Sequence, residues 1–448
     1  MTATPISSGR RAGLAGLAGL LAGGTGGCAL DPVAPSSALS DPPGRPAANP
    51  QDFRLDHGVK RRDGGPDLAR YADARGGFAQ ADALTWWRPE YSVDGFSRLA
   101  DILPSRPSTP ATAPRPVIRA AREPEIRYQG AGPRGAGQFD LDGYFERNPA
   151  TGLLILREGQ VLAERYQYGR DPGHRFTSFS MAKTCVALLA GLALADGRIR
   201  SLDDPAERYA SGLKGREYGR TPLRHLLTMS SGVQFREDYD GRDDAAVLSR
   251  RAVGGQSAGG ADVVRPFNRR EAAPGQRWYY ASSETFVLAL VLREAFGRPL
   301  AEVFSERIWQ AIGAATPAAW TLDRSGLELG YMGVHATLPD WGRLAAMLAD
   351  RGRVEGREVI PAAWLEDMTR AHFTPRQTRR FYGYGYQTWT FPEADGSYAL
   401  LGVRGQALYV WPARRLALVH TAVRIDARDA GGVDTYALWR SLKAAAST

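Results

Sequence analysis

Residues 176–198 read FTSFSMAKTCVALLAGLALADGR. A short polar approach ends at Ser180, Lys183 follows one helical turn later, and Val186, Leu188, Leu189, Leu192 and Leu194 then continue as an apolar helix. On a helix, the i, i+3 spacing sets the lysine amine on the same side as the serine hydroxyl. The free N–H groups of a helix start carry partial positive charge, which suits a developing oxyanion. Burial and that positive end both disfavour an ammonium, so Lys183 is predicted to give up its proton more readily than a solvated lysine and to act as a base. Arginine could not replace it, because a guanidinium keeps its proton. The competing assignment makes Ser180 a helix N-cap and leaves Lys183 in water.

Residue usage bears on the choice. Only four of the 57 basic residues are lysines, Lys60, Lys183, Lys214 and Lys443, so a lysine inside a chemical motif stands out. A second Ser-x-x-Lys, Ser211 to Lys214, sits among Gly212 and Gly215 in a polar loop and opens no apolar helix. A rival nucleophile is Ser257 in Gly255-Gln256-Ser257-Ala258-Gly259, which matches G-x-S-x-G. That motif needs a buried strand before it and a helix after it. Its flanks here, SRRAVG and GADVVRPF, read as a Gly/Ala-rich loop. Further on, PGQRWYYASSETFVLALVL (274–292) brings Tyr279, Tyr280 and Ser282 to the entrance of another apolar helix. Tyrosine is a poor base at its free pKa of about 10, but a neighbouring lysine ammonium would stabilise the phenolate and let it relay a proton.

The chain has 448 residues, 43% hydrophobic, 23% charged and 10% aromatic, which is globular composition and excludes collagen-like sequence, coiled coil and wholesale disorder. Its net charge of +9 is spread without a basic stripe, so no nucleic-acid partner is expected. Two cysteines, Cys28 and Cys185, are too few for a disulfide framework or a cysteine zinc site. The six histidines show no H-E-x-x-H or other metal spacing, so no metal is expected, and His225 and His335 are read as structural.

Residues 1–28, with Arg10-Arg11, the apolar AGLAGLAGLLAGG and TGGC, read as a secretory signal, so the mature protein is expected outside the cytoplasm, in the periplasm. The segment resembles a bacterial lipoprotein signal with Cys28 as the lipidated residue, which would anchor the protein to a membrane; a plain signal peptide is the alternative. Residues 29–50 are a Pro/Ala/Ser-rich tether. Residues 51–134 are polar, with one apolar island at Trp86, Trp87, Phe96, Leu99, Ile102 and Leu103 that should lie against the main body, residues 135–448. There GLLILREGQVLAERYQYG (152–169) reads as a hairpin about Glu158-Gly159, and residues 399–423 return to strand-like runs. Strands from both ends thus enclose a helical middle.

Taken together, FTSFSMAKT, TPLRHLLTMSSGVQFREDY (221–239), PGQRWYYAS and LGVRGQALYVWP (401–412) resemble the serine hydrolases of the class C β-lactamase and penicillin-binding-protein family, above all the esterase and 6-aminohexanoate-dimer hydrolase branch. The resemblance spans about residues 135–425 and implies an α/β (α+β) transpeptidase-like fold: an antiparallel sheet from both chain ends with an inserted helical lobe. It implies an acyl-enzyme on Ser180 with Lys183 and Tyr280 moving the proton and no cofactor, and its spacing prefers Tyr280 over Tyr279. It places one oxyanion N–H on Val403 beside Gly405, Ser282 at the family's Asn/Ser position, and Tyr239 on the substrate pocket. Ser282 in place of asparagine and Val403-Arg404-Gly405 in place of Lys-Thr-Gly depart from the β-lactamase pattern. The expected substrate is therefore a small ester or amide, with a β-lactam or D-alanyl-D-alanine peptide as the runner-up, and an inactive envelope-anchored binding module as the reading from another class. Arg404 could grip an acidic group in two-pronged fashion or serve the structure. Glu237, Asp238, Asp240, Asp243 and Asp244 read as a solvated charged face, with attraction of an amine-bearing substrate as the alternative.

Overall fold

The predicted hairpin forms between strands Ala150–Arg157 and Gln160–Tyr166. Both residues of its two-residue turn take positive φ, 53° at Glu158 and 79° at Gly159, the turn whose twist matches that of the flanking strands. The computed structural model describes residues 54–56, 58–131, 134–428 and 432–447. The expected signal, Cys28 and the Pro-rich tether lie outside the described residues.

The hairpin belongs to a nine-stranded sheet with the order Arg54–Asp56, Val59–Arg61, Gln160–Tyr166, Ala150–Arg157, Leu416–Ala422, Gln406–Trp411, Tyr398–Gly402, Trp389–Thr390 and Gly383–Tyr384. Strands from the two ends of residues 135–448 meet at its centre, where Leu418 pairs with Ile155 and His420 with Leu153. Alternation along Ala150–Arg157 divides the core. Leu153 and Ile155 pack with Tyr144, Leu438 and Trp439 on one face, while Leu154 and Leu156 pack with Trp341 and Leu344 on the other. Both faces are buried, which is why the strand reads as one unbroken apolar run.

The helical middle is inserted between these strands. Helix Ala182–Ala195 is buried from Ala182 to Ala193 and packs against helix Ser282–Phe296. A helix apolar on every side is a core helix. Close approach is set at Gly191, where an added Cβ would lie 2.2 Å from Cδ1 of Trp364. The indole cannot easily retreat, because its Nε1 donates to Ala187 O at 3.1 Å. Gly191→Ala should therefore destabilise the protein by about 1–3 kcal/mol, although alanine is worth about 1 kcal/mol over glycine in a helix interior. Urea denaturation measures this, and an unchanged or raised midpoint would contradict the contact.

The N-terminal segment is woven into the body. Val59–Arg61 adds to the main sheet in parallel with Gln160–Tyr166, so the sheet is mixed and not wholly antiparallel as expected. Three residues, Val-Lys-Arg, are too few to carry a strand period, and they pair because the sheet edge beside them is open. Ser105–Ser108 joins a second, four-stranded sheet as an edge strand on Ala318–Thr321, a place that tolerates its Pro107. The apolar island forms helix Ser92–Ile102, and Trp86, Trp87, Phe96, Leu99 and Leu103 join the larger core cluster.

Candidate active site

Ser180 sits in the tight turn Phe179–Met181 that leads into helix Ala182–Ala195. Phe179 adopts φ 42°, a left-handed conformation that costs a non-glycine residue on the order of 1–3 kcal/mol. Its surroundings hold it there: Phe96 meets its ring edge-on at 5.0 Å, and Trp86 stacks on it at 6.3 Å. The backbone is clamped as well. Ser178 N donates to Val334 O at 2.8 Å, Val334 N donates back to Ser178 Oγ at 3.1 Å, and Ser178 Oγ donates to Phe179 O at 2.9 Å. Gly402 presses against the other side, where an added Cβ would be 2.4 Å from Ser178 O. The start of the helix shows no side-chain cap, so Ser180 is not used as the N-cap of the competing assignment.

Lys183 is 1% exposed. Its Nζ lies 3.0 Å from Ser180 Oγ, 3.1 Å from Ser282 Oγ and 2.8 Å from Tyr331 O. Burial pulls its pKa down to about 8, against the opposing pull of the Glu237 carboxylate. Ser180 and Lys183, three residues apart, are thus brought together as the spacing predicts. Tyr280 joins them from the approach to helix Ser282–Phe296, with its ring centroid 5.0 Å from Lys183 Nζ. Burial first, and the Glu237 charge second, push the Tyr280 phenol above its ordinary value, while a hydrogen bond with Ser180 acts in the other direction. The amine thus lies over the ring of Tyr280, and burial opposes the lysine-stabilised phenolate that was expected there.

A pocket of about 350 Å³ opens over Ser180 and is lined by Tyr239, Tyr280, Trp389, Val403 and Gly405 among others. Ser282 does not line it. That hydroxyl faces a smaller inner cavity behind the nucleophile, shared with Glu237, Tyr239 and Tyr331. Arg404 is turned away from the pocket and buried, with Nη1 donating to Arg424 O at 3.3 Å and to Ile425 O. It is a structural arginine, and the basic groups on the pocket wall are Arg380, Arg424 and Arg428.

The acidic stretch is not uniformly a solvated face. Asp238 and Asp240 are exposed beside Arg236, at 3.3 Å in each pair. Asp243 is buried as the N-cap of helix Asp244–Ala252, accepting from Ala246 N at 3.0 Å. Glu237 is buried at 3% exposure, where Ser282 N (2.6 Å), Ser282 Oγ (2.8 Å) and the Tyr239 hydroxyl (2.7 Å) all donate to it. Its carboxylate is thereby withdrawn from solvent, and the amine it faces is that of Lys183. Glu237, the Tyr331 carbonyl and Trp389 are the site groups that sequence reasoning missed.

The other candidates stay apart. Ser257 Oγ donates to Arg251 O at 2.7 Å in a loop that no strand enters, and Ser211 with exposed Lys214 lies in the short turn Ser211–Leu213. His225 bonds Ser230 at 3.2 Å, and His335 bonds Thr321 at 2.7 Å, with burial lowering its pKa to about 3. Both hold loops or strands together, as read.

Comparison with known proteins agrees with this architecture. The family model described as Beta-lactamase matches residues 141–431. A 6-aminohexanoate-dimer hydrolase of Paenarthrobacter ureafaciens is 26% identical over 376 residues, covering 79% of this chain and 90% of its own. A solved structure from Bacillus anthracis, assigned by its name to the 6-aminohexanoate-dimer hydrolases, superposes with a TM-score of 0.71 at 21% identity, over 80% of this chain and 95% of that one. A penicillin-binding protein from Bacillus halodurans superposes with a TM-score of 0.54 at 17% identity, over 68% of this chain and 99% of that one. At such identities the superpositions speak for the fold alone, with its sheet and inserted helical lobe. The chain belongs to the beta-lactamase family of hydrolases.

Proposed function

We propose that the protein hydrolyses a small ester or amide through an acyl-enzyme on Ser180. The observation that carries this reading is Lys183, a buried amine 3.0 Å from Ser180 Oγ with its pKa brought to about 8, where Ser180 itself lines the pocket. In acylation Lys183 takes the Ser180 proton as Oγ attacks the carbonyl carbon. The backbone N–H groups of Ser180 and Val403 receive the oxyanion. Collapse of the tetrahedral intermediate breaks the bond to the leaving group. The proton passes from Lys183 to the leaving oxygen or nitrogen, with the Tyr280 phenol as the relay. Water then attacks the acyl-enzyme and gives its proton to Lys183; the bond to Ser180 Oγ breaks, Lys183 returns the proton to Oγ, and the acid is released. Each step uses a neutral amine or its ammonium, which a group near pKa 8 supplies with little bias either way.

A β-lactam is the less favoured substrate, because Val403-Arg404-Gly405 replaces Lys-Thr-Gly and the Arg404 guanidinium is bound to backbone carbonyls. The decisive experiment is treatment with a fluorophosphonate followed by peptide mapping. The adduct is expected on Ser180 and lost in Ser180→Ala. An adduct on Ser257, or none on folded protein, would refute the assignment. The pH dependence has a definite sign: the base must be neutral, so kcat/KM for p-nitrophenyl acetate should rise with pH along a limb centred near 8, the value set by burial of Lys183. A flat profile between pH 6 and 9 would exclude Lys183 as the titrating base.

A further inference from the structure

The direction of the hydrogen bonds around Lys183 follows from which partners own a proton. Tyr331 O is a carbonyl oxygen and can only accept, so one N–H of Lys183 points to it at 2.8 Å. Ser282 Oγ has a single proton, and that proton goes to Glu237 Oε1 at 2.8 Å, because a carboxylate offers lone pairs only. Ser282 must then accept from Lys183, which directs a second N–H at 3.1 Å. A neutral amine has two N–H groups and one lone pair. With both N–H groups engaged, the lone pair is left for the third neighbour, Ser180 Oγ at 3.0 Å, which has a proton to give.

We propose that Glu237 is a positioning residue that acts through Ser282: it sets the polarity of this chain so that the neutral Lys183 amine aims its lone pair at Ser180. The inference rests on the Ser180–Lys183 reading above. Glu237 is itself held. Ser282 N donates to its second oxygen at 2.6 Å, the Tyr239 hydroxyl to its first at 2.7 Å, and Arg428 Nη2 to its backbone carbonyl at 2.9 Å. The loop conformation that turns Glu237 inward, with Tyr239 at φ 63°, is fixed by Asp243 Oδ2, which accepts from the backbone N–H groups of Asp238 and Tyr239, both at 2.7 Å. The charged and titratable groups around the lysine are Glu237, the Tyr280 ring at 5.0 Å and the Tyr331 ring at 5.8 Å, while Arg428 lies 4.6 Å above the Tyr239 ring.

Glu237→Gln separates charge from shape. The amide has one oxygen for three donors. Either its NH₂ confronts Ser282 N–H, or it flips and donates to Ser282 Oγ, whose proton then turns onto the Lys183 lone pair. Two effects are expected for p-nitrophenyl acetate. The high-pH plateau of kcat/KM falls by about 30-fold or more, because the base is occupied. The limb moves to lower pH, because the carboxylate that favours the ammonium is gone. Glu237→Asp, which keeps the charge, should leave the limb near its wild-type position and recover part of the plateau. A folded Glu237→Gln protein with a plateau within about threefold of wild type overturns the proposal, as does an unmoved limb with Gln and Asp equally impaired, the result of a merely structural role. If Glu237→Gln does not fold, Ser282→Ala decides. It removes the link but keeps the charge, so the plateau must fall with the limb in place, and a wild-type plateau overturns the proposal. Wild-type protein with neither turnover nor a Ser180 adduct would instead indict the hydrolase reading itself.

Discussion

Lys183→Arg is expected to lower the rate of the proposed Ser180 acylation by about 10³-fold, and Lys183→Ala to do no better. The arginine variant keeps the positive charge and the donor capacity, so a lysine that merely neutralised Glu237 or steadied Ser282 would be partly replaced by it. A base would not be, because a guanidinium does not release its proton near neutral pH. Space argues the same way: Nζ lies under two aromatic rings, 5.0 Å from that of Tyr280 and 5.8 Å from that of Tyr331, a slot for a tetrahedral ammonium and not for a planar fork. Stopped-flow measurement of the p-nitrophenol burst reads acylation directly, and thermal melts report whether the variants fold. A folded Lys183→Arg protein retaining a tenth of the wild-type burst rate would remove Lys183 from the base role.

What could be read in advance divides by the range of the interaction. Ser180 and Lys183 meet because they are one helical turn apart, and sequence spacing alone determines such a pair. The hairpin at Glu158-Gly159 and the apolar helices were legible for the same reason, their periods being local. Glu237 was not. It sits in a non-repeating loop where Glu237 turns inward and Asp238 outward, and the choice depends on Asp243 and on Ser282, 45 residues away. A run of acids gives no sign that one of them is inside. Arg404 was open to two readings for a similar reason, since carbonyls that bind it come from residues 424–425, about 20 positions further along the chain. Tyr280 does come to lie beside Lys183, but Nζ sits over its ring, and burial, which depends on the whole surrounding fold and not on local spacing, is the largest influence on its phenol.

Trp86→Ala is expected to cost about 3–5 kcal/mol of stability, as for other large aromatic truncations in cores, and to slow Ser180 labelling in whatever fraction stays folded. Trp86 is fully buried although it comes from the polar N-terminal segment, ahead of the matched family region. Its ring meets Trp87 edge-on at 5.8 Å and Phe96 at 6.4 Å, and it stacks on Phe179, the residue before the nucleophile. Helix Ser92–Ile102 is bound tightly to this point, since an added Cβ on Gly95 would fall 2.4 Å from Trp86 O. Removing the indole leaves a cavity beneath a residue held at φ 42°. Phe179 can then relax toward a commoner conformation, and because Ser180 is the next residue, its hydroxyl moves away from Lys183. Displacements of about 1 Å at reacting atoms cost on the order of 100-fold in rate. The paired measurement is a urea midpoint with the rate of fluorophosphonate labelling in the absence of urea. If the midpoint drops while labelling of the folded protein keeps its wild-type rate, the N-terminal segment serves stability alone. If both fall together, the wedge under Phe179 is part of what shapes the nucleophile, and the catalytic unit begins well before the first strand of the hairpin.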